Sequence, residues 1–373
     1  MISLIKSTFH NEAETKKKLS KFLLEADKLS MGEYCLRFED SLETWQGRKN
    51  AVLVNSGSSA NLALLQALMN LGRLKKGDRV GFSALTWATN VMLIIQLGLI
   101  PVPIDVEIET LNIASDLVDK NFVEVLFVTN LLGLCGDLDA IAEICEETKT
   151  ILIEDNCESM GSIYDGERLG NFGLASTFSF YVGHHLSTIE GGAVMTDDDE
   201  LADMLRMVRA HGWKRDIADS LDFYGRYTFF DLGFNFRPTE ITGFLGYNGM
   251  DYIEEIVWNR ENNARFLSDI YNNSKAYELI TGHMDVYSSF STPIVYKKES
   301  HKNEVVKHCE MMDIEVRPIV AGNITRQPFF MKYVGKASCP NAELIHTNGL
   351  YAPNNPDLTF NELETIKEAL WLK

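Results

Sequence analysis

The sequence predicts an α/β protein with a mainly parallel β-sheet, helices on both faces of the sheet and a smaller α+β unit at the C-terminus. Short apolar runs such as residues 51–54 (AVLV) alternate with amphipathic segments through most of the chain. This alternation is typical of crossover connections between parallel strands. Beyond about residue 250 the helical segments become longer. We therefore predict an N-terminal segment and large α/β domain over residues 1–250, and a small C-terminal domain over residues 251–373.

The individual elements follow from hydrophobic spacing. Apolar residues recur at helical spacing in residues 11–28, 38–47, 59–71, 88–97, 137–147, 199–210, 251–275 and 302–312, which are predicted as helices. Short apolar runs predict strands over residues 51–54, 79–82, 100–104, 123–129, 150–154, 177–181, 193–196, 291–296 and 314–320. At 373 residues the chain is long enough to bury a sizeable core.

The composition excludes several classes of function. The chain has 35 basic and 53 acidic residues, a net charge of −18, which disfavours nucleic acid and anionic membranes as partners. Its six cysteines form no CxxC pair, so neither a zinc site nor a disulfide framework is expected. No stretch reaches about 18 uncharged apolar residues. We therefore expect a soluble, cytoplasmic protein without a metal site.

The rest of the chain is organised around residues 178–192 (FSFYVGHHLSTIEGG), an apolar run that leads into two histidines and ends at Gly-Gly. This pattern predicts a buried strand followed by a functional loop. His184 is the first candidate for catalysis, because imidazole gives and takes protons near neutral pH. Most histidines are surface or core residues, so the pair alone does not establish chemistry. We interpret His185 as structural.

Two further segments lie where a ligand is expected in such a sheet. Residues 55–61 (NSGSSAN) join a strand to a helix, which places backbone N–H groups at a positive helix end and suits a phosphate. The segment matches neither a Walker loop nor GxGxxG, and a plain helix cap is the alternative.

Asp155 follows the strand at 150–154 and can hold a protonated ring nitrogen, although a helix cap would look similar. Trp87 follows the strand at 79–82 and either stacks on a flat ring or belongs to the core.

Five segments together resemble a known family. They are SGSSAN, EDNCESMGS, FSFYVGHHLSTIEGGAVMT, GFNFRPTEITGFLG and RPIVAGNITRQPF. In order and spacing they are similar to the sugar-modifying members of the type I pyridoxal-phosphate-dependent aminotransferase fold. The resemblance extends from about residue 30 to the end. It implies an aspartate aminotransferase-like fold with a mainly parallel seven-stranded sheet, a pyridoxal or pyridoxamine 5'-phosphate cofactor, and a homodimer with shared active sites.

The resemblance also implies individual roles in cofactor binding. Gly57, Ser58 and Ser179 would bind the cofactor phosphate, and Asn235 would reach the phosphate bound by the neighbouring subunit. Pro238 replaces the methionine that is usual near Asn235, which leaves the local loop shape open.

The cofactor ring has its own implied partners. Trp87 would stack on the pyridine ring, and Asp155 would pair with its nitrogen and keep it protonated. Glu158 would be a nearby carboxylate on the cofactor or substrate side.

One departure from most of the family decides the predicted reaction. A lysine usually stands at the position of His184 and attaches to the cofactor covalently. Here no lysine occurs between Thr150 and Met207. Nucleotide-sugar 3-dehydratases share this departure, and the strings GHHLSTIEGG and AGNITRQP are typical of them.

Imidazole cannot form a Schiff base, so the amine form of the cofactor would be the resting partner and His184 would act as the base. We predict loss of the C3 hydroxyl from a nucleotide-linked 4-keto-6-deoxyhexose, with a GDP-linked sugar as the first candidate. Ammonia would be released, and the resemblance implies L-glutamate as the donor that regenerates the cofactor.

Two alternatives remain open from the sequence. In the first alternative, the protein is an aminotransferase that acts on another nucleotide-linked 4-keto sugar. In the second, it is a relative that binds the cofactor without catalysis. A related iron–sulfur branch is disfavoured, because no cysteine lies between Cys157 and Cys309.

For the sugar nucleotide the sequence offers candidates only. They are His211, Arg317, Asn323 and Arg326, each of which is as readily a solvated side chain.

Overall fold

A computed structural model of the chain describes residues 1–118, 122–214 and 222–372. The strands are β1 (Asn50–Val54), β2 (Arg79–Ser83), β3 (Ile100–Ile104), β4 (Val125–Thr129), β5 (Ile151–Asp155), β6 (Ile163–Tyr164), β7 (Glu167–Arg168), β8 (Ala175–Ser179), β9 (Gly192–Thr196), β10 (Met284–Val286), β11 (Ser291–Val295) and β12 (Gly349–Pro353).

The helices alternate with these strands through the first half of the chain. They are α1 (Glu12–Glu25), α2 (Glu33–Gln46), α3 (Gly57–Asn70), α4 (Thr89–Gln96), α5 (Ser115–Val118), α6 (Leu138–Thr148), α7 (Asp199–Val208), α8 (Glu240–Gly249), α9 (Ile253–Leu267), α10 (Glu299–Met311), α11 (Pro328–Tyr333), α12 (Pro340–Asn348) and α13 (Phe360–Leu370). Short 3₁₀ segments occur at Leu131–Gly133, Gly225–Tyr227, Met250–Tyr252, Ser268–Asn272 and Ile324–Arg326.

The main sheet has seven strands in the order β1-β9-β8-β5-β4-β2-β3. Strand β9 runs antiparallel to both of its neighbours, and the other pairs are parallel. The predicted α/β class and mainly parallel seven-stranded sheet are therefore confirmed. Because six strands share one direction, their carboxyl ends lie along one edge, where open α/β sheets bind ligands.

Burial on both faces explains why these strands read as continuous apolar runs. All five residues of β1, β4 and β9 are buried, since helices cover the sheet on both sides. Helix α3 presents Ala60, Ala63, Leu64 and Ala67 to the sheet, and these residues are fully buried. Small side chains at this spacing let the helix lie close to β8 and β9.

Two elements predicted for the C-terminal part differ from the structure, and β10, α11, α12, β12 and α13 were not predicted. The helix predicted over residues 251–275 is divided into a 3₁₀ turn, α9 and a second 3₁₀ turn. The strand predicted over residues 314–320 is wrong, because this segment makes only single bridges, from Ile314 to Ile2 and from Arg317 to Tyr351. Pro318 lies in this segment and has no N–H group to donate to a ladder.

The N-terminal residues lie against this C-terminal part. Ile2 bridges Ile314, and Lys6 donates a hydrogen bond of 2.6 Å to Glu362. Strand β10 pairs with β6 of the large unit. A boundary at residue 250 stays a prediction. In the described residues, no helix combines the length and the apolar character that a membrane span needs.

Candidate functional site

A pocket of about 350 Å³ lies at the carboxyl edge of the main sheet. Eight residues singled out in the sequence line it: Gly57, Ser58, Trp87, Asp155, Glu158, Ser179, His184 and Arg317. They come from chain positions far apart, and the parallel topology brings them together because successive strands end at the same edge.

The N-terminus of α3 forms one wall of this pocket. Ser56 is the N-cap, and its hydroxyl accepts a hydrogen bond of 3.1 Å from the backbone N–H of Ser59. Gly57 and Ser58 follow in the first turn, where N–H groups have no helical partner. A Cβ atom on Gly57 would lie 2.6 Å from the Cβ of Ser179, so only glycine fits between the helix and the end of β8. This cradle has the geometry and polarity that suit a phosphate.

Asp155, the last residue of β5, is held by three donors. Its Oδ2 accepts hydrogen bonds from the side-chain amides of Asn90 (2.8 Å) and Asn61 (3.2 Å). Its Oδ1 accepts from the backbone N–H of Cys157 at 2.9 Å. The carboxylate is buried but lines the pocket, which suits a partner for a cationic ring nitrogen.

A polar network behind Asp155 was not predicted from the sequence. Asn90 also donates to the hydroxyl of Thr129 at 3.1 Å, and Thr129 is 2.8 Å from the hydroxyl of Thr86. These side chains come from α4, β4 and the loop after β2, so the network ties three elements to one carboxylate. Asn61 belongs to the recognised SGSSAN segment, which was a usable signal, whereas Asn90 and Thr129 stand in segments that read only as helix and strand.

Trp87 lies on the rim of the pocket and is 56% exposed. The alternative of a core tryptophan is therefore excluded. A large flat side chain left open to a pocket beside a phosphate cradle and a carboxylate fits a planar cationic ring.

His184 lies in the loop after β8 and lines the pocket, so the predicted strand and following loop are found, with the strand at Ala175–Ser179 rather than at residues 177–181. The functional role of the loop stays a prediction. Its Nδ1 hydrogen bonds to the backbone carbonyl of Cys157. A carbonyl oxygen only accepts, so Nδ1 carries the hydrogen and the neutral ring has its lone pair at Nε2. The loop therefore presents an imidazole in the tautomer of a proton acceptor.

The surroundings of His184 keep it neutral at physiological pH. Burial lowers the pKa of His184 to about 4, while the hydrogen bond to Cys157 and the charge of Asp155 act in the opposite direction. The rings of Tyr181 and Phe290 lie against it at centroid distances of 5.9 and 5.3 Å.

Glu158 lines the same pocket three residues beyond Asp155. Its Oε2 accepts a hydrogen bond of 3.1 Å from the backbone N–H of Leu132. Burial raises the pKa of Glu158 to about 7, the charge of Asp155 adds to the increase and the hydrogen bond from Leu132 opposes it. The pocket thus contains an imidazole whose pKa is lowered and a carboxyl group whose pKa is raised. Two titratable groups with pKa values shifted in opposite directions are typical of acid–base sites.

His185 differs from its neighbour. Its Nε2 donates to the carbonyl of Ser288 at 2.9 Å, and the side chain is 4% exposed. Burial lowers the pKa of His185 well below its ordinary value. These contacts agree with a structural role.

The four candidates for the sugar nucleotide do not share one place. Arg317 lines the pocket, is exposed and hydrogen bonds to Glu315 at 2.6 Å. Asn323 and Arg326 lie outside the pocket lining and both hydrogen bond to Glu343, at 3.1 and 2.9 Å. Their polar groups are thus used within the C-terminal part.

His211 and Asn235 also lie outside this pocket lining. Both are exposed, and each belongs to the bridged pair of segments around Ala210 and Asn235. An exposed Asn235 is compatible with a contact to a second subunit, and its predicted role stays a prediction.

The pocket fits the predicted cofactor. The α3 cradle suits the phosphate, Trp87 the ring and Asp155 the ring nitrogen. In the described parts of the chain, none of the side chains that line the pocket is a lysine. Within the same residues, no group of three or more His, Cys, Asp or Glu side chains is arranged to hold a metal ion.

Comparison with known proteins agrees with this geometry. Residues 10–371 match the model of the DegT/DnrJ/EryC1/StrS aminotransferase family. The chain is 32% identical over 367 residues to GDP-4-keto-6-deoxy-D-mannose 3-dehydratase of Escherichia coli O55:H7, covering 93% of this chain and 94% of that protein. It is 26% identical over 352 residues to GDP-perosamine synthase of Caulobacter vibrioides, covering 91% and 90%.

Among solved structures, the chain is similar to GDP-4-keto-6-deoxymannose-3-dehydratase with a trapped PLP-glutamate geminal diamine. The TM-score is 0.92 and the sequence identity 31%, over 99% of this chain and 100% of that chain.

Proposed function

The chain belongs to the DegT/DnrJ/EryC1/StrS aminotransferase family, and from this premise we propose that it is a nucleotide-sugar 3-dehydratase dependent on pyridoxamine phosphate. The proposed substrate is a nucleotide-linked 4-keto-6-deoxyhexose, with GDP-4-keto-6-deoxy-D-mannose as the first candidate. The 3-dehydratase relative at 32% identity supports this choice.

The observation that carries the proposal is His184 in a pocket whose lining, among the described residues, contains no lysine. An aminotransferase of this fold needs a primary amine to hold and release its cofactor covalently. His184 cannot supply one, but its Nε2 can accept a proton because Nδ1 is committed to the Cys157 carbonyl. The reaction must then use a cofactor that is bound by noncovalent contacts.

The residues that would hold the cofactor are those of the pocket. Gly57, Ser58 and Ser179 would bind its phosphate, Trp87 would cover its ring, and Asp155 would pair with the ring nitrogen. When bound, pyridoxamine phosphate supplies an amino group for the keto carbon and a conjugated ring that accepts or releases an electron pair.

Protein side chains would move the protons. His184 would remove a proton at Nε2 and is neutral over the physiological range, as this role requires. Glu158 would hold a proton on the same side of the pocket. Trp87 and Phe290 would limit access of water from the rim.

The overall reaction balances with glutamate as the second substrate. The sugar loses one oxygen, and glutamate becomes 2-oxoglutarate and ammonia. The solved relative with a PLP-glutamate adduct supports glutamate as the donor. We further propose a homodimer in which Asn235 reaches the phosphate site of the second subunit.

The test is incubation of the purified protein with pyridoxamine phosphate, glutamate and a panel of nucleotide-linked 4-keto-6-deoxyhexoses, with products identified by mass spectrometry. A product that lacks one oxygen is expected with the GDP-linked sugar and not with His184→Asn. Absence of any deoxygenated product across the panel would contradict the proposal.

A sugar aminotransferase is the second candidate, because GDP-perosamine synthase is also a relative. Glutamate labelled with ¹⁵N separates the two. A dehydratase releases the label as ammonium, whereas an aminotransferase retains it in an amino sugar. A protein that does not bind the cofactor at all would instead be a noncatalytic relative.

A further inference from the structure

Arg260, in the middle of α9, is a buried cation outside the residues discussed so far. Its side chain is 3% exposed. Nη1 donates to the backbone carbonyls of Asn354 (2.6 Å), Phe290 (2.9 Å) and Ser289 (3.3 Å). In the part of the chain that the structure describes, all of its hydrogen bonds go to carbonyls rather than to a carboxylate. Burial lowers the pKa of Arg260 to about 10, and the charge of Asp357, which lines the same cavity as Arg260, opposes that effect. Removing a guanidinium from water costs several kcal/mol, so its hydrogen bonds to this segment offset a large cost.

The arginine holds a segment that other side chains also hold. The carbonyl of Ser288 accepts from His185 Nε2 at 2.9 Å, and that of Ser289 accepts from the side-chain amide of Asn354 at 3.0 Å. Three consecutive carbonyls, at residues 288–290, are therefore bound by buried side chains. Hydrogen bonds from buried side chains therefore fix the backbone of this segment at each of its three residues.

The last residue of the segment contacts the proposed base. The ring of Phe290 lines the pocket, and its centroid is 5.3 Å from that of His184 at an interplanar angle of 62°. A displacement of the Phe290 backbone would change both the packing of the imidazole and its exposure to water. Arg260 thus acts on His184 through Phe290.

Arg260 also acts on His184 through its charge. Arg260, His184 and His185 line a cavity of about 40 Å³ behind the pocket. A positive charge beside this cavity opposes protonation of either ring. Burial is the largest cause of the lowered pKa of each histidine, and the charge of Arg260 adds to the lowering.

Other titratable groups face the same loop. On the pocket side these are Asp155, Cys157, Glu158, Tyr181, Glu190, Arg317 and Tyr351. On the cavity side these are His10, Tyr252 and Asp357. Asp155 raises the pKa of His184, and Arg260 opposes that effect.

We propose that Arg260 is a positioning residue for the base, because its hydrogen bonds fix the backbone around Phe290, whose ring packs against His184. This proposal rests on the proposed function only in calling His184 a base. The arrangement itself can be measured in protein that is not turning over.

The direct test is NMR titration of protein labelled with ¹⁵N-histidine, with the His184 signal identified by its loss in His184→Asn. Arg260→Gln removes the charge, and we expect the apparent pKa of His184 to rise by about 0.5 to 1.5 units. Arg260→Lys keeps the charge, so a shift below about 0.3 units is expected.

The matched control is Arg209→Gln. Arg209 is another buried arginine, 6% exposed, but it pairs with Glu39 at 2.6 Å away from this loop. We expect it to lower stability without moving the His184 titration. An unshifted titration in Arg260→Gln, or an equal shift in Arg209→Gln, would overturn the proposal.

Kinetics of the holoenzyme test the positioning effect and remain decisive if Arg260→Gln does not fold. All three hydrogen bonds of Arg260 come from Nη1, and the ammonium group of lysine lies one bond nearer the backbone than that atom, so lysine cannot hold the three carbonyls in the same positions. Arg260→Lys should therefore lower kcat by about 10-fold or more, with KM for the sugar changed by less than about 3-fold. An unchanged kcat, or an effect on KM alone, would overturn the proposal. If wild-type protein shows no sugar chemistry, the function fails, while the NMR titration still decides the role of Arg260.

Discussion

Gly57 and Ser179 are in such close contact that no side chain fits between them. A Cβ atom on Gly57 would lie 2.6 Å from the Cβ and 3.0 Å from the Oγ of Ser179. The first turn of α3 and the end of β8 therefore form one rigid surface at the proposed phosphate site. The glycine is required here by the approach of two elements rather than by its backbone conformation.

Gly57→Ala should disturb this surface. We expect a loss of about 1–3 kcal/mol in the free energy of unfolding, because the added methyl group forces α3 and β8 apart. Cofactor affinity should fall by about 10-fold or more, measured by titration of apoprotein and urea denaturation.

The companion change Ser179→Gly supplies the control for that prediction. It removes the two Ser179 atoms that the new methyl would meet and leaves Cys157 Sγ at 3.0 Å, so the double variant should recover part of the lost stability. Gly282→Ala should have little effect, because no atom of the residues that the structure describes lies within 4 Å of the added Cβ. A double variant no more stable than Gly57→Ala would contradict the contact.

Glu158→Gln should change how stability depends on pH. The pKa of Glu158 in the folded protein is raised from 4.5 to about 7, so the folded state binds this proton more tightly than the unfolded chain. The contribution of this proton to the free energy of unfolding is complete below about pH 4.5 and is lost as the pH rises through 7.

Glutamine stays neutral, so the stability of Glu158→Gln relative to the wild type should rise by about 2–3 kcal/mol between pH 5 and pH 8, in urea denaturation without cofactor. Glu304→Gln, on the exposed side of α10, is the control. Equal effects at both pH values would refute the prediction.

His185→Gln should reduce the acid sensitivity of the protein. The pKa of His185 is lowered in the folded state, so the unfolded chain binds this proton more tightly. The contribution of His185 to the free energy of unfolding is therefore present above about pH 6.5 and is lost as the pH falls. Glutamine can still donate to Ser288 but does not titrate.

Between pH 7.5 and 5 the wild type should therefore lose about 1–2 kcal/mol more than His185→Gln, measured by urea denaturation. His308→Gln, on α10, should follow the wild type. The prediction is wrong if both histidine variants show the same pH dependence.

His184→Lys should allow covalent attachment of pyridoxal phosphate. The new amine would occupy the position from which the imidazole reaches the pocket, next to the residues that would hold the cofactor ring. Borohydride treatment should then raise the intact mass by one reduced cofactor and fix its absorption. His184→Asn and the wild type, treated in the same way, should not gain this mass. No covalent label in His184→Lys would contradict the placement of this residue.

The fold was largely predictable because its strands are buried on both faces. Such strands read as uninterrupted apolar runs, and the helices between them carry the 3.6-residue period. The failures occurred where this pattern carries no information. Residues 314–320 contain apolar residues at strand spacing, yet within the described residues they form only single bridges. Pro318 has no N–H group to donate to a neighbouring strand.

Within the site, the sequence determined the identities of the key side chains and the missing lysine. It did not determine which nitrogen of His184 is free, because that depends on the Cys157 carbonyl, which the fold places beside the ring. Nor did it reveal Asn90, Thr129 or Arg260. Their importance comes from contacts with residues far away in the chain. In the sequence, an asparagine, threonine or helical arginine with such contacts cannot be distinguished from one exposed to solvent.

The sequence by itself thus determined the family, the sheet and the chemical character of His184, since these depend on local pattern and residue type. Only the tertiary structure decided the tautomer and protonation of that histidine, the orientation of Asp155 and the link from Arg260 through Phe290. Burial and hydrogen-bond partners set these properties, and both arise only when residues far apart in the chain are brought together.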